Sequence, residues 1–498
     1  MVEINHQWSF ILLGAFIVTL TFVVKRLQPR RNWKLPPGPR KLPIIGNLHH
    51  IGHPLADSLQ HLAEQHGPLM ALKLGTVQAI VVSSPLVVRE ILKSHDVVFS
   101  GKPPLQALKR LTYDFSDMFA APYSEYWRQV RKIAILELFS IKRVNSFCSL
   151  RMEEVTKVCE TVGSAERGTV NVSELMHSLA NNVICRVAFG KRDYQNYDFY
   201  SLLHDLERVI GDVNIADFIP WLGWINRFNG FGDLMEKVFK DLERFYDELI
   251  EQHREQQSRP RVDSGHKDLV AVLLEVQADH NQALVLSKDQ IKGILLDILI
   301  GGTDTSSTTL VWAMTELIKY PMTMEALQAE VTRVANGKDM IEESDLPELH
   351  YLHMVLKETF RLHPPLPIIM RETITDCKLQ GYEIPARTMV FINAKVIGRD
   401  PSTWEDPDSF KPERFLNSSI DFKGHDPELI PFGIGRRGCP APNLATPLME
   451  LALANLLYRF HWSLPQGMAP EDIDMAEGVG LATHKKVPLT LVANPRIT

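Results

Sequence analysis

Cysteine is scarce. Cys148, Cys159, Cys185, Cys377 and Cys439 are the five among 498 residues, and no two stand in a C-x-x-C pair. That spacing implies neither a disulfide framework nor a structural zinc site, and it suits a reducing, cytosol-facing environment. Positive charge is not in excess: 54 Lys and Arg face 60 Asp and Glu, and a net charge of −6 gives no footing for nucleic acid. No internal repeat and no low-complexity tract occurs, so the chain reads as globular, with a length that allows one large domain or two or three smaller ones.

The apolar run that stands out is Trp8 to Val24, which carries no charge. As a helix it spans roughly 25 Å, near the lower limit for a bilayer. Glu3 precedes it and Lys25, Arg26, Arg30, Arg31 and Lys34 follow, an asymmetry that places the C-terminal side in the cytosol. A cleaved signal peptide competes with this reading, but the acidic start and the missing small-residue cleavage site favour an uncleaved anchor. Leu35-Pro36-Pro37-Gly38-Pro39 then stiffens the exit, because proline fixes φ and denies helix.

The chain is organised around Phe432-Gly433-Ile434-Gly435-Arg436-Arg437-Gly438-Cys439-Pro440-Ala441. Its glycines allow tight turns and close approach to a bulky group. Cationic neighbours and a following helix favour the thiolate of Cys439. One isolated thiolate suits a single axial position on a haem iron. Beyond it, Thr446-Pro447 reads as an N-cap and first helical residue, so the regular helix is expected to begin, or to kink, near Pro447 after a short turn at Pro442 to Ala445.

Other stretches carry local signals. Leu69 to Leu74 and Val77 to Val82 flank Gly75-Thr76 and read as a hairpin. Pro103 to Ala121 reads as irregular and rich in apolar side chains, among them Leu111, Phe115 and Phe119. Tyr126 to Lys132 reads as a helix with Trp127 and Arg131 on one face. Ser287-Lys288-Asp289-Gln290 is a capping box that opens a helical pattern running to Tyr320, where Pro321 stops it. Gly301-Gly302-Thr303-Asp304-Thr305-Ser306 interrupts that pattern with residues of poor helix propensity, as a helix loosened beside a ligand would. Glu358 and Arg361 share a helix face at i and i+3, and Pro412-Glu413-Arg414-Phe415 follows about fifty residues on. Cys377 to Gln380 and Thr388 to Ala394 read as short strands.

In this order the motifs resemble those of the cytochrome P450 family, and their local style resembles its plant microsomal (A-type) members. Phe432, Gly435, Arg437 and Cys439 match the haem-binding signature, with Ala441 where the family has glycine. Gly301 to Ser306 match the oxygen-binding pattern, Trp127 and Arg131 match W-x-x-x-R, and Glu358, Arg361 and Arg414 match E-x-x-R and P-E-R-F. The resemblance implies a mainly α fold with small β-sheets. It divides the chain into a membrane anchor and basic flank (1–34), a proline-rich hinge (35–48) and a haem-thiolate domain (49–498). It implies haem b ligated by Cys439, with Trp127, Arg131, Arg371, Phe432 and Arg437 around it, and Arg131 and Arg371 on the propionates. Asp304 and Thr305 would organise proton delivery. Glu358, Arg361 and Arg414 would form a structural triad. Leu111, Phe115, Phe119, Gly301, Ile368, Ile369 and Val479 are pocket candidates.

The implied reaction is monooxygenation of a small apolar specialised metabolite with O2 and electrons from NADPH. Those electrons would arrive through NADPH–cytochrome P450 reductase, with cytochrome b5 as a further partner. The implied location is the endoplasmic reticulum membrane, single-pass, with the catalytic domain facing the cytosol. Two alternatives stay open: a haem-thiolate isomerase or dehydratase that needs no external O2, and a non-catalytic membrane haem-binding protein. The intact Asp304-Thr305 pair counts against the first.

Overall fold

A computed structural model describes residues 33–165, 168–192, 199–211, 214–257, 267–279, 284–478 and 480–496. The apolar run Trp8–Val24, its basic flank up to Arg31, and Val479 lie outside the described residues. Helix α1 (Leu55–His66) leads into strands β1 (Leu69–Leu74) and β2 (Val77–Val82), then α2 (Pro85–Ser94), α3 (Gln106–Leu111), α4 (Glu125–Ile133) and α5 (Cys148–Gly163). Strand β3 (Thr169–Asn171) precedes α6 (Val172–Phe189), α7 (Phe199–Gly211), α8 (Phe231–Gln257), α9 (Leu269–Ala278), α10 (Lys288–Lys319), α11 (Pro321–Ala335) and α12 (His350–Leu362). Strands β4 (Ile368–Glu372), β5 (Cys377–Leu379), β6 (Tyr382–Ile384) and β7 (Met389–Asn393) come next, followed by α13 (Pro442–Arg459), β8 (Phe460–Ser463) and β9 (Thr490–Pro495).

The hairpin forms where alternation and Gly75 place it. Gly75 has φ +55°, and a Cβ there would lie 2.4 Å from the Phe218 carbonyl oxygen, so both the turn and its neighbour require glycine. The sheet grows in the order β1-β2-β7-β4, with β2 and β7 parallel and the other pairs antiparallel. Strands β3, β9 and β8 form a second small sheet, and β5 with β6 a third.

Helix α10 is the axis of the helical part. Ser287 accepts the Gln290 N–H at 3.2 Å while Gln290 accepts the Ser287 N–H at 2.8 Å, the reciprocal cap expected from the sequence. The helix then runs 32 residues, about 48 Å, to a C-cap at Tyr320 before Pro321. It is buried almost all round, packing most extensively against α6 and also against α11, α12 and α13. Gly302 permits the closest approach, since a Cβ there would stand 2.3 Å from Ile184 Cδ1 on α6. The hydroxyls that lower helix propensity bond back one turn: Thr305 to the Gly301 carbonyl at 2.7 Å, Thr309 to that of Thr305 at 2.8 Å.

Two expectations need correction: the irregular reading of residues 103–121 and the helix start near Pro447. Residues 103–121 are not wholly irregular, because Gln106–Leu111 close into helix α3. Helix α13 begins at Pro442, with Ala441 as N-cap and Pro447 inside it. Pro442 occupies the first helical position, where its missing N–H costs nothing. The carbonyl that Pro447 leaves without its usual partner belongs to the solvent-exposed Asn443. Thr446, rather than capping a new helix, donates its hydroxyl back to the Pro442 carbonyl.

Candidate active site

The Cys439 loop closes on itself through backbone bonds: Cys439 N–H donates to the Phe432 carbonyl at 2.7 Å, and Gly438 N–H to that of Gly435 at 2.9 Å. Gly435 has φ +67°, and a Cβ there would sit 2.4 Å from Asp96 Oδ1. The two arginines part company. Arg436 turns outward and pairs with Asp96, Nε to Oδ2 at 3.0 Å. Arg437 turns inward over the Trp127 ring, 4.2 Å from its centroid. Phe432 is wedged between Phe360 and Phe422, at centroid distances of 5.3 and 5.5 Å.

Cys439 keeps accessible surface because it lines a deep, mainly apolar cavity. Burial pushes its thiol up, while the Ala441 N–H, 3.4 Å from Sγ, and the Arg131 guanidinium pull the other way.

The same cavity is lined by Trp127 and Arg131 from α4, Gly301, Asp304 and Thr305 from α10, Ile368, Ile369 and Arg371 from β4, and Phe119, Phe432 and Arg437. Leu111 and Phe115 are not on its wall. Helix α3 turns Leu108 and, one turn on, Thr112 to the cavity and sends Leu111 into the core. Tyr113, Asp114 and Phe115 follow in a left-handed turn, φ +52°, +58° and +62°, that lays Phe115 against the core instead.

Three guanidiniums crowd one edge of this cavity. Arg131 donates to the Gly438 carbonyl at 2.6 Å, Arg371 to that of Arg437 at 3.1 Å, and Arg437 to those of Ser100 at 2.8 Å and Met118 at 3.3 Å. Among the described residues none of the three pairs with a carboxylate. Burial pushes Arg371 down to about 10 and Arg437 down to about 9, as expected for buried charges crowded together. Lys102, missed by the sequence reading, lines the same edge. Its ammonium lies 3.8 Å over the Phe119 ring, and burial together with Arg371 and Arg437 pushes it well down. Asp297, also missed, accepts the Met118 and Phe119 N–H groups at 2.7 and 3.1 Å and so staples the 113–121 segment to α10.

The structure brings Glu358, Arg361 and Arg414 together behind the loop. Arg361 donates from Nε and Nη2 to Glu358 at 2.7 and 2.8 Å, and Arg414 Nε to Glu358 at 3.0 Å. Arg361 also binds the carbonyls of Gly398, Pro407 and Ser409.

This arrangement has close parallels. The family model described as Cytochrome P450 matches residues 36–491. The chain belongs to the cytochrome P450 family. Its curated relatives include plant P450s of nearly equal length. Cytochrome P450 71A9 of Glycine max is 49% identical, covering 97% of both chains. Strychnine-11-hydroxylase of Strychnos nux-vomica is 49% identical over 99% of this chain and 98% of the relative. A zebrafish cytochrome P450 solved with abiraterone superimposes with a TM-score of 0.75 at 25% identity, covering 90% of this chain and all of that one. The chain is thus a P450 monooxygenase of the plant A-type group with the mainly helical P450 fold.

A P450 carries a haem-thiolate centre and takes electrons from a reductase, and this cavity fits such a group. It offers one accessible thiol and three guanidiniums without carboxylate partners, the complement of a dianionic, flat apolar ligand. A Cβ at Gly301 would meet nothing within 4 Å beyond its chain neighbours and its own helix backbone, so the room there is left to whatever fills the cavity.

Proposed function

We propose that the chain hydroxylates or otherwise oxidises a small apolar specialised metabolite, using O2 and NADPH-derived electrons delivered by NADPH–cytochrome P450 reductase, with cytochrome b5 as an accessory donor. One observation carries this reading: Cys439 and the Asp304-Thr305 pair open onto a single apolar cavity edged by arginines that have no carboxylate partner among the described residues. Haem b, held by Cys439 with Arg131, Arg371 and Arg437 beside its carboxylates, would supply the oxidising chemistry. The chain's own part is to orient substrate against Phe119, Ile368 and Ile369, to exclude water, and to pass protons along Asp304 and Thr305. The test is product analysis after feeding a diverse panel of plant metabolites to membranes that co-express a reductase. New NADPH-dependent oxygenated products support the reading. Rearranged products formed without NADPH or O2 favour the isomerase or dehydratase.

We also propose a single-pass anchor in the endoplasmic reticulum membrane with the catalytic domain in the cytosol. Trp221, Trp224 and Phe228 are exposed on a segment joined to the β1–β2 turn, where Thr76 N–H donates to the Phe218 carbonyl at 2.8 Å. Leu42 and Ile44, close to the chain's entry, are exposed as well. Aromatic and aliphatic surface of this kind suits a membrane interface. Asn171-Val172-Ser173 and Asn417-Ser418-Ser419 are glycosylation acceptors with exposed asparagines. Neither should carry glycan in cells, and a glycosidase-sensitive mass shift would reverse the orientation.

A further inference from the structure

We propose that Trp312 and Thr483 are positioning residues, a clamp behind the cavity that holds two of its walls together and so sets its grip on bulky ligands. The inference rests on the haem and substrate cavity described above. It extends that reading to two residues that do not line the cavity.

Trp312 continues the cavity face of α10. Thr305 and Thr309 line the cavity, and Trp312 follows at the i, i+4, i+7 spacing of one helix face, fully buried beyond the last cavity-lining residue of the helix. A buried indole N–H needs an acceptor, and this one donates to the Thr483 carbonyl. The ring also stacks on His363, with centroids 3.9 Å apart and planes 3° from parallel. His363 is itself fixed, since its Nε2 donates to Glu316 Oε1 at 2.6 Å, one turn along α10 from Trp312.

Thr483 closes the circuit. Its N–H donates to the Pro365 carbonyl at 2.9 Å and its hydroxyl to that of Pro364 at 2.8 Å. Two successive prolines have no N–H to offer, so their carbonyls are the backbone groups through which the bend after His363 can be held. With the Trp312 bond, the N–H, O–H and C=O of buried Thr483 are all engaged. The contacts run from Trp312 to Thr483, to Pro364-Pro365, to the adjoining His363, and back to the Trp312 ring.

The two segments joined by this circuit carry cavity walls. Pro365 and Leu366 line the cavity from one, Leu481 and Ala482 from the other. Leu481 also meets α7, because a Cβ at Gly211 would lie 2.9 Å from its backbone nitrogen. The base of the 476–486 turn has ties of its own. Gly478 N–H donates to the His484 carbonyl at 2.8 Å, Lys486 N–H to that of Ala476 at 2.9 Å, and Lys395 Nζ binds Glu477 at 2.8 Å. Breaking the clamp should therefore leave the turn folded while loosening Leu481 and Ala482 against Pro365 and Leu366. A bulky ligand must then order those walls as it binds, which costs affinity, whereas a small one need not.

The experiment is a spectral titration of the full-length haem-loaded enzyme with two nitrogen ligands of haem iron: imidazole, and clotrimazole, an imidazole carrying three aryl groups. Wild type, Trp312→Phe, Thr483→Val and Thr483→Ser are compared at matched haem content, with thermal unfolding as a fold control. Phenylalanine keeps a ring against His363 but has no N–H. Valine keeps the β-branched shape without the hydroxyl, and serine keeps the hydroxyl. Leaving a buried donor or acceptor unpaired shifts an equilibrium about 10-fold, so Trp312→Phe and Thr483→Val should each bind clotrimazole about 10-fold more weakly. Imidazole affinity should stay within about 2-fold of wild type, and Thr483→Ser should match wild type with both ligands. Because both substitutions break one circuit, the double variant should lose less than the product of the two single losses. Unchanged clotrimazole binding in Thr483→Val overturns the clamp, and that variant decides the matter even where Trp312→Phe does not fold. An equal weakening of imidazole also overturns it, since the fault then lies at the haem and not at the walls. Absence of any imidazole shift in wild type defeats the haem-cavity reading beneath the proposal; a normal shift with unchanged clotrimazole binding defeats the clamp alone.

Discussion

The guanidinium of Arg361 meets the carboxylate of Glu358 through two parallel hydrogen bonds of 2.7 and 2.8 Å, with both side chains shut off from solvent. Fork-to-fork geometry makes this a strong pair, and burial makes it costly to break. The same carboxylate also accepts the Lys411 N–H at 2.7 Å and Arg414 Nε at 3.0 Å, so one acid joins α12 to the segment leading to the Cys439 loop.

Glu358→Gln should therefore strand two cations at once. The expected loss is about 3–5 kcal/mol, seen as early thermal unfolding and poor haem retention. Arg361→Lys should not rescue, because lysine cannot replace the bonds to the Gly398, Pro407 and Ser409 carbonyls. Arg414→Lys should cost less, since Arg414 is the more exposed of the two arginines. Equal melting of wild type and Glu358→Gln would remove the triad from the stability account.

Cys439→Ser should abolish the red-shifted absorption of the reduced, carbon-monoxide-bound haem. Serine substitutions at Cys148, Cys159, Cys185 and Cys377 should leave the band in place, although Cys159 and Cys185 are buried and those variants should melt earlier. Survival of the band in Cys439→Ser would mean that another group ligates the metal.

Local pattern made much of this molecule legible. The Ser287–Gln290 box, the hairpin around Gly75 and the i, i+3 pairing of Glu358 with Arg361 are all short-range relations, and each has its geometry in the fold. What was lost depended on helix phase or on distant chain. Leu111 and Phe115 were pocket candidates because the family resemblance places their region over the substrate, and Gln106–Leu111 carry too few residues to show which side faces the cavity. Pro447 read as a helix start because a proline inside a helix begun at Pro442 carries a cost, which the fold accepts. Lys102 and Asp297 gain their meaning from partners on other elements.

His253 on α8 contacts Asp268, the N-cap of α9, at 3.0 Å, and gives a pH-dependent tie. Burial alone would lower its pKa, but the Asp268 hydrogen bond and charge outweigh that and raise it. A raised folded value means that the protonated ring stabilises the fold fully below the unfolded value of 6.5, and that this contribution is lost as pH climbs through the folded value. His253→Gln should therefore melt earlier than wild type in mildly acidic buffer, by on the order of 1 kcal/mol, with the gap closing at alkaline pH. A gap that widens with pH would reverse the assignment.

The central claim, that this P450 activates oxygen at a site served by Asp304 and Thr305, is tested most directly at Thr305. Its hydroxyl donates to the Gly301 carbonyl at 2.7 Å and lines the cavity. Valine keeps the β-branched shape and removes the hydroxyl, so haem binding and the carbon-monoxide spectrum should persist. The measurement is NADPH consumed, peroxide released and product formed, taken together for wild type and Thr305→Val at matched haem content, with a substrate found in the metabolite panel. The account predicts continued NADPH oxidation with less product and more peroxide per NADPH in the variant. Undiminished product per NADPH, or turnover that needs neither NADPH nor oxygen, would contradict it.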